Sequence, residues 1–86
     1  MLEVYFLPKF INKFNLLEKG LQDEVLEKIN LFKDFQNHTA LKVHKLHGPL
    51  KGSYSFSVNF KTRIIFEYIS KKEVVLLTLG DHKIYN

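Results

Sequence analysis

Residues 53–60 constrain the fold most strongly, because polar and apolar side chains alternate there without exception. The polar positions are Ser53, Ser55, Ser57 and Asn59, and the apolar positions are Tyr54, Phe56, Val58 and Phe60. A period of two predicts a β-strand whose apolar side chains, Phe60 included, share one buried face. Residues 63–69 are rich in β-branched and aromatic side chains, which favours a second strand. Residues 74–79 are apolar at nearly every position and predict a third strand, either at the sheet centre or covered on both faces. Short breaks separate the three segments, so we expect an antiparallel three-stranded meander.

The first half of the chain predicts one strand and a helical hairpin. Residues 2–7 form a short apolar segment that Pro8 ends, which favours a strand. Apolar residues then recur at helical spacing at Phe10, Phe14, Leu17 and Leu21. We expect Gly20 to end this first helix and residues 21–36 to form a second one. The predicted fold class is therefore α+β, with the helical pair packed on one face of a single sheet.

The length and composition bound the other possibilities. The 86 residues suit a single domain spanning residues 1–86. The chain has no cysteine, so no disulfide framework or thiolate chemistry is expected. No apolar stretch approaches the roughly 20 residues that a membrane-spanning helix needs, and no secretory signal begins the sequence. These features predict a cytoplasmic protein without a membrane segment.

The positive charge is concentrated in the second half of the chain. Residues 1–38 carry five lysines against six acidic residues, for a net charge of −1. Residues 39–86 carry seven lysines and one arginine against three acidic residues, for a net charge of +5. This asymmetry indicates either a polyanionic or acidic protein partner or a simple lysine-rich surface.

The sequence offers little for metal or nucleophilic chemistry. The histidines are His38, His44, His47 and His82. His44 and His47 are three residues apart, but they lie in a predicted strand or loop and no cysteine supports them, so we expect no metal site and no cofactor. The sequence has neither a glycine-flanked nucleophilic serine nor a phosphate-binding P-loop.

A set of cationic and aromatic residues remains as the candidate site. Arg63 is the only arginine and lies on the strand face of Ile65 and Glu67, so it can either clamp a phosphate or pair with Glu67. His82 follows the last predicted strand and can exchange a proton near neutral pH, although it can equally be a surface histidine. Tyr85 can stack on a nucleobase or close the sheet edge as an apolar plug. The candidate RNA-binding residues around them are Lys42, Lys45, His47, Lys51, Lys61 and Lys83.

The order of these features resembles the RelE/ParE superfamily of toxins from type II toxin–antitoxin systems, especially its RelE/StbE and YafQ-like branch. The resemblance spans nearly the whole chain and rests on residues 4–10 (VYFLPKF), 44–48 (HKLHG), 50–59 (LKGSYSFSVN), 63–67 (RIIFE) and 79–85 (LGDHKIY). It implies a strand–helix–helix–meander domain that cleaves messenger RNA at the ribosomal A site without a metal. It also implies a cognate antitoxin as partner and a toxin–antitoxin hetero-oligomer.

The resemblance also implies roles for single residues. Arg63 would stabilise the phosphate, and His82 would act as acid or base. Tyr85 would hold the target nucleotide, and His44 matches the histidine before the glycine-rich turn of YafQ-like toxins. Those toxins carry a further histidine and an aspartate where this chain has about Ser57 and Lys61, and many relatives carry an arginine near Tyr54 or Ser57. These departures keep two alternatives open, a ParE-like DNA gyrase inhibitor that cuts nothing and a toxin that has lost catalysis and only binds.

Overall fold

The structure is a computed structural model that describes residues 1–81 and Ile84. The predictions made for His82, Lys83 and Tyr85 lie outside the described residues. The main elements are β1 (Glu3–Phe6), α1 (Pro8–Asn15), α2 (Lys19–Phe32), β2 (His44–Lys45), β3 (Tyr54–Ser57), β4 (Arg63–Ser70) and β5 (Glu73–Gly80). Short 3-10 turns at Phe35–Asn37 and Gly48–Leu50 connect them.

The strands form one mixed sheet in the order β1-β5-β4-β3-β2. The predicted antiparallel meander is confirmed, since β3 pairs with β4 and β4 pairs with β5. The N-terminal strand β1 adds to the outer side of β5 in a parallel arrangement, with Val4 opposite Val74. The two-residue strand β2 closes the other edge against β3. The α+β class is confirmed, and β5 is an inner strand between β1 and β4.

The helices cover one face of this sheet, as predicted, and the core lies between the two layers. From the helical layer the core takes Phe10, Val25, Ile29 and Phe32, which meet the sheet residues Phe56, Ile64, Phe66, Val74 and Leu76. Phe32 is fully buried, and its ring centroid lies 4.2 Å from that of Phe56 and 4.7 Å from that of Phe66. These aromatic contacts fix α2 over the middle of the meander.

The prediction that Gly20 ends the first helix is wrong. The helix α1 ends at Asn15, and its last turn is closed by N–H groups of Leu16 and Leu17 donating to Lys13 and Phe14. Gly20 lies in the first turn of α2 instead. The N–H groups of a first turn have no acceptor within the helix. A glycine at this position therefore costs the helix less stability than one in its interior.

The strand predicted over residues 53–60 is shorter than its alternation suggests, and Phe60 is not on the buried face. The strand β3 ends at Ser57, and the chain turns through residues 58–62, which leaves the Phe60 side chain 88% exposed. On the opposite face of this strand, Ser53 and Ser55 are buried although they are polar. No helix within the described residues is long and apolar enough to cross a membrane.

Candidate nucleic-acid interface

The face of the sheet that the helices leave uncovered, here called the outer face, brings predicted site residues together. One row across the strands runs from His44 to Ser55, Ile65 and Thr78. The next row, two residues along, places Ser57 opposite Arg63. Ile64 and Phe66 belong to the helix-side core, so Arg63 and Ile65 between and beside them project from the outer face. From strand spacing and rise, the Cα atoms of His44 and Arg63 are roughly 12 Å apart.

His44 is held in one tautomer by the backbone. Its Nδ1 lies 2.8 Å from the carbonyl oxygen of Lys42, and its Nε2 lies 3.4 Å from the hydroxyl oxygen of Ser55. Lys42, two residues before β2 begins, adopts a positive φ of 58°, and in this conformation its carbonyl contacts the imidazole ring. A carbonyl oxygen only accepts hydrogen bonds, so Nδ1 carries the hydrogen and the neutral ring presents an unprotonated Nε2 at the outer face. The group is therefore arranged as a proton acceptor.

Arg63 is anchored by one of its terminal nitrogens. Its Nη1 donates to the carbonyl oxygens of Asn59 at 2.7 Å, Phe60 at 3.2 Å and Thr62 at 3.3 Å. The alternative pairing with Glu67 does not form: Arg63 is directed toward the turn carbonyls, and the Glu67 carboxylate accepts from the Ser53 hydroxyl at 2.9 Å. Among residues 1–81 and Ile84, the Nε and Nη2 groups of Arg63 have no hydrogen-bond partner. These groups form a planar fork of the kind that binds two phosphate oxygens.

Asn59 builds the turn that holds this arginine. Its Oδ1 accepts from the backbone N–H groups of Lys61 and Thr62, both at 2.8 Å, which is the geometry of an Asx turn. Its Nδ2 donates to the Glu24 carboxylate of α2 at 2.7 Å. The β3–β4 turn is therefore fixed both internally and to the helical layer.

The remaining predicted RNA-binding residues divide between two sides of the molecule. Lys42, His47, Lys51 and Lys61 are exposed in loops, and Lys61 lines a depression together with Glu18 and Glu24 of the helical layer. Lys45 follows His44 in β2 and pairs with Tyr54, whose ring stacks on the core residue Phe66. Lys45 therefore lies on the helix side of the sheet, away from His44 and Arg63.

Sequence reasoning missed a pocket next to this site. A cavity of about 380 Å³ opens on the outer face, and its lining residues are Leu7, Lys9, Leu50, Ser53, Ile65, Leu77, Thr78 and Ile84. The Oγ1 atom of Thr78 is buried and makes no hydrogen bond within the described part of the chain. The alternating serines gave a signal for a polar outer face, whereas Thr78 sits in an otherwise apolar segment that gave none. Within the described residues, no group of three His, Cys, Asp or Glu side chains could hold a metal ion.

Comparison with known proteins identifies the fold. No family model and no curated protein matches the chain. YafQ from E. coli matches with a TM-score of 0.77 at 15% identity, over 98% of this chain and 97% of that one. The toxin–antitoxin complex RelBE2 from Mycobacterium tuberculosis gives a TM-score of 0.75 at 18% identity, over 93% and 96% of the two chains. The YoeB–YefM complex from Staphylococcus aureus gives 0.72 at 17% identity, over 95% and 98%. The chain therefore has the fold of the RelE/ParE toxin superfamily.

Proposed function

We propose that this protein is the toxin of a type II toxin–antitoxin system and that it cleaves messenger RNA at the ribosomal A site, without a metal ion. Its fold is that of YafQ, YoeB and RelE proteins. The observation that carries the proposal is that one sheet face holds both a histidine whose Nε2, at the long distance of 3.4 Å from the Ser55 hydroxyl, can accept a proton and an arginine that makes its hydrogen bonds through Nη1 and leaves its Nε–Nη2 fork for a phosphate. RNA cleavage of this kind needs a proton acceptor and a cation at the phosphate.

The reaction assigns one step to each group. The Nε2 of His44 takes the proton of a ribose 2′-hydroxyl, and that oxygen attacks the adjacent phosphorus. Arg63 binds two phosphate oxygens and stabilises the charge that grows on them. The bond to the 5′-oxygen breaks, and His82 gives that oxygen a proton, which leaves a 2′,3′-cyclic phosphate and a 5′-hydroxyl. Tyr85 stacks on the target nucleotide, and Lys51 and Lys61 add positive potential.

The proposed protein partner is a cognate antitoxin. The comparison structures include complexes of YoeB with YefM and of an archaeal RelE with RelB. In this chain the half from residue 39 onward carries the net charge of +5, which favours an acidic segment of the antitoxin. We expect the two proteins to form a hetero-oligomer in the cytoplasm, and purification from the native host should recover both.

The test is controlled expression in bacteria followed by mapping of transcript ends. We expect growth arrest, translation arrest and new ends that carry cyclic phosphates. Arg63→Ala and His44→Ala should each abolish cleavage, and Arg63→Lys should restore little because lysine lacks the planar fork. Lys71→Ala is the matched control, since Lys71 is an exposed cation of the β4–β5 turn. It should leave cleavage unchanged.

Other outcomes would contradict the proposal in different ways. An SOS response with intact transcripts would indicate the ParE-like inhibition of DNA gyrase. Harmless expression of a folded protein would indicate a toxin that has lost its activity. Full toxicity of both the Arg63→Ala and the His44→Ala variants would show that the site lies elsewhere.

A further inference from the structure

Phe60 is an exposed aromatic ring at a rigid point of the surface. Its side chain is 88% exposed, more than any other large apolar residue among those described. The turn that carries it needs no phenylalanine, because Asn59 supplies the hydrogen bonds that define the turn. Single exposed apolar residues are common on protein surfaces, so the position of Phe60 beside Arg63, and not its exposure alone, is what points to a ligand.

The backbone at Phe60 is held in place from two sides. Its carbonyl oxygen accepts from Nη1 of Arg63 at 3.2 Å, and the preceding residue is tied to Glu24 of α2 at 2.7 Å. A ring on a fixed backbone loses little entropy when it binds, which favours stacking on a flat partner. The same hydrogen bond places the ring's backbone directly beside the proposed phosphate-binding arginine.

The charges around Phe60 favour a nucleotide whose base and phosphate lie on different sides of the ring. Arg63 donates to the carbonyl oxygen of Phe60 from the outer face, and its guanidinium suits a phosphate on that side. On the side of α2, Glu18 and Glu24 line a depression together with Phe60 and Lys61. Carboxylates repel a phosphate but tolerate an uncharged base, and they accept hydrogen bonds from base amino groups.

We propose that Phe60 is a base-stacking residue for single-stranded RNA, and that it holds a nucleotide next to the one whose phosphate Arg63 binds. This inference rests on the proposed function. Aromatic side chains beside cations bind unstacked bases in this way. The proposal distinguishes Phe60 from Tyr85, which the function places on the target nucleotide itself.

The chain contains no tryptophan, so Phe60→Trp creates a protein with a single tryptophan at this position. The matched control is Leu16→Trp, since Leu16 is 86% exposed at the end of α1. The probe is a short 2′-O-methylated single strand, which cannot be cleaved by 2′-hydroxyl attack. Binding is followed by the anisotropy of a label on the RNA, and stacking is followed separately by tryptophan fluorescence.

We expect the RNA to quench the Phe60→Trp protein strongly and the Leu16→Trp protein hardly at all. Phe60→Ala should weaken RNA binding about tenfold through the loss of one stacked base, while Phe60→Tyr should bind like the original protein. RNA binding without quenching at position 60 would overturn the stacking assignment and leave the proposed function intact. A blue shift of this tryptophan with the antitoxin, but no response to RNA, would assign Phe60 to a protein interface and overturn the proposal. Absence of RNA binding by the unmodified protein would overturn the stacking proposal, whereas the proposed function is tested separately by the mapping of transcript ends.

Discussion

Replacement of Asn59 tests whether the β3–β4 turn positions Arg63. Asn59→Ala removes three hydrogen bonds, two from the backbone of Lys61 and Thr62 and one to the carboxylate of Glu24. Each such bond contributes a net of about 1 kcal/mol, and water replaces the exposed one at Lys61 most easily. We therefore expect the free energy of unfolding to fall by about 2 kcal/mol. For a domain of this size that lowers Tm by about 8–16 °C.

The effect on function should exceed the effect on stability. Without the Asn59 side chain the turn keeps only its backbone hydrogen bonds to the Thr62 carbonyl, and the carbonyl groups that orient the Arg63 guanidinium are held less firmly. A misplaced cation at the phosphate lowers the rate even in the molecules that remain folded. We expect the cleavage rate of Asn59→Ala to fall at least about tenfold at a temperature where the protein is folded.

Urea unfolding and single-turnover cleavage, measured on the same preparations, separate these two effects. Asn30→Ala is the matched control, because Asn30 is an exposed asparagine of α2 and alanine favours a helix, so stability should not fall. Asn59→Asp keeps the turn's acceptor but sets a carboxylate against Glu24, and Glu24→Gln should rescue that variant. A free energy of unfolding for Asn59→Ala within about 0.5 kcal/mol of the original protein would refute the reasoning. So would an unchanged cleavage rate.

Three further substitutions test other parts of the fold. A Cβ at Gly80 would overlap Cγ2 of Ile84, so Gly80→Ala should displace Ile84 and reduce cleavage. Leucine lacks a branch at Cβ, so adding Ile84→Leu to this variant should restore cleavage. Because the Thr78 hydroxyl is buried without a partner in the described residues, Thr78→Val should raise the stability to urea by about 1 kcal/mol. Burial and then the neighbouring Tyr54 raise the pKa of Tyr68, so the folded protein favours the protonated phenol. That contribution is complete below the ordinary phenol pKa of 10.0 and is lost as pH rises through the folded pKa, so Tyr68→Phe should reduce the fall of Tm in alkaline solution.

The sequence was sufficient for the parts of the fold that depend on neighbouring residues. Alternation and apolar segments predicted β3, β4 and β5, because hairpin partners follow one another in the chain. The parallel pairing of β1 with β5 could not be predicted in this way, since Glu3 and Glu73 are far apart in sequence and no local pattern links them. The short strand β2 could not be predicted from the sequence either, because two residues are too few to show a periodic pattern.

For the candidate site, too, the sequence predicted what depends on neighbouring residues and not what depends on long-range contacts. Parity alone placed Arg63 and Ile65 on one face, but it could not choose between a phosphate and Glu67 as the partner of Arg63. The structure decides against Glu67, because the Arg63 guanidinium is held by the carbonyl groups of the β3–β4 turn. Phe60 was misplaced because its alternation continued past the point where Asn59 turns the chain. A polar residue with its own turn chemistry outweighs the apolar pattern around it.

Comparison of the two faces of the sheet indicates which residues the fold requires and which it merely tolerates. The helix-side face is apolar throughout its buried part, and any sequence with that pattern can stabilise the two layers, which explains how 15% identity suffices for the match to YafQ. On the outer face, Ile65 is 2% exposed in the same row as Ser55, which is fully buried. This row therefore accommodates an apolar side chain, and a buried polar side chain costs stability there unless it is hydrogen-bonded. The Ser55 hydroxyl lies 3.4 Å from Nε2 of His44, so this serine is accounted for by its contact with the imidazole ring and not by contact with solvent.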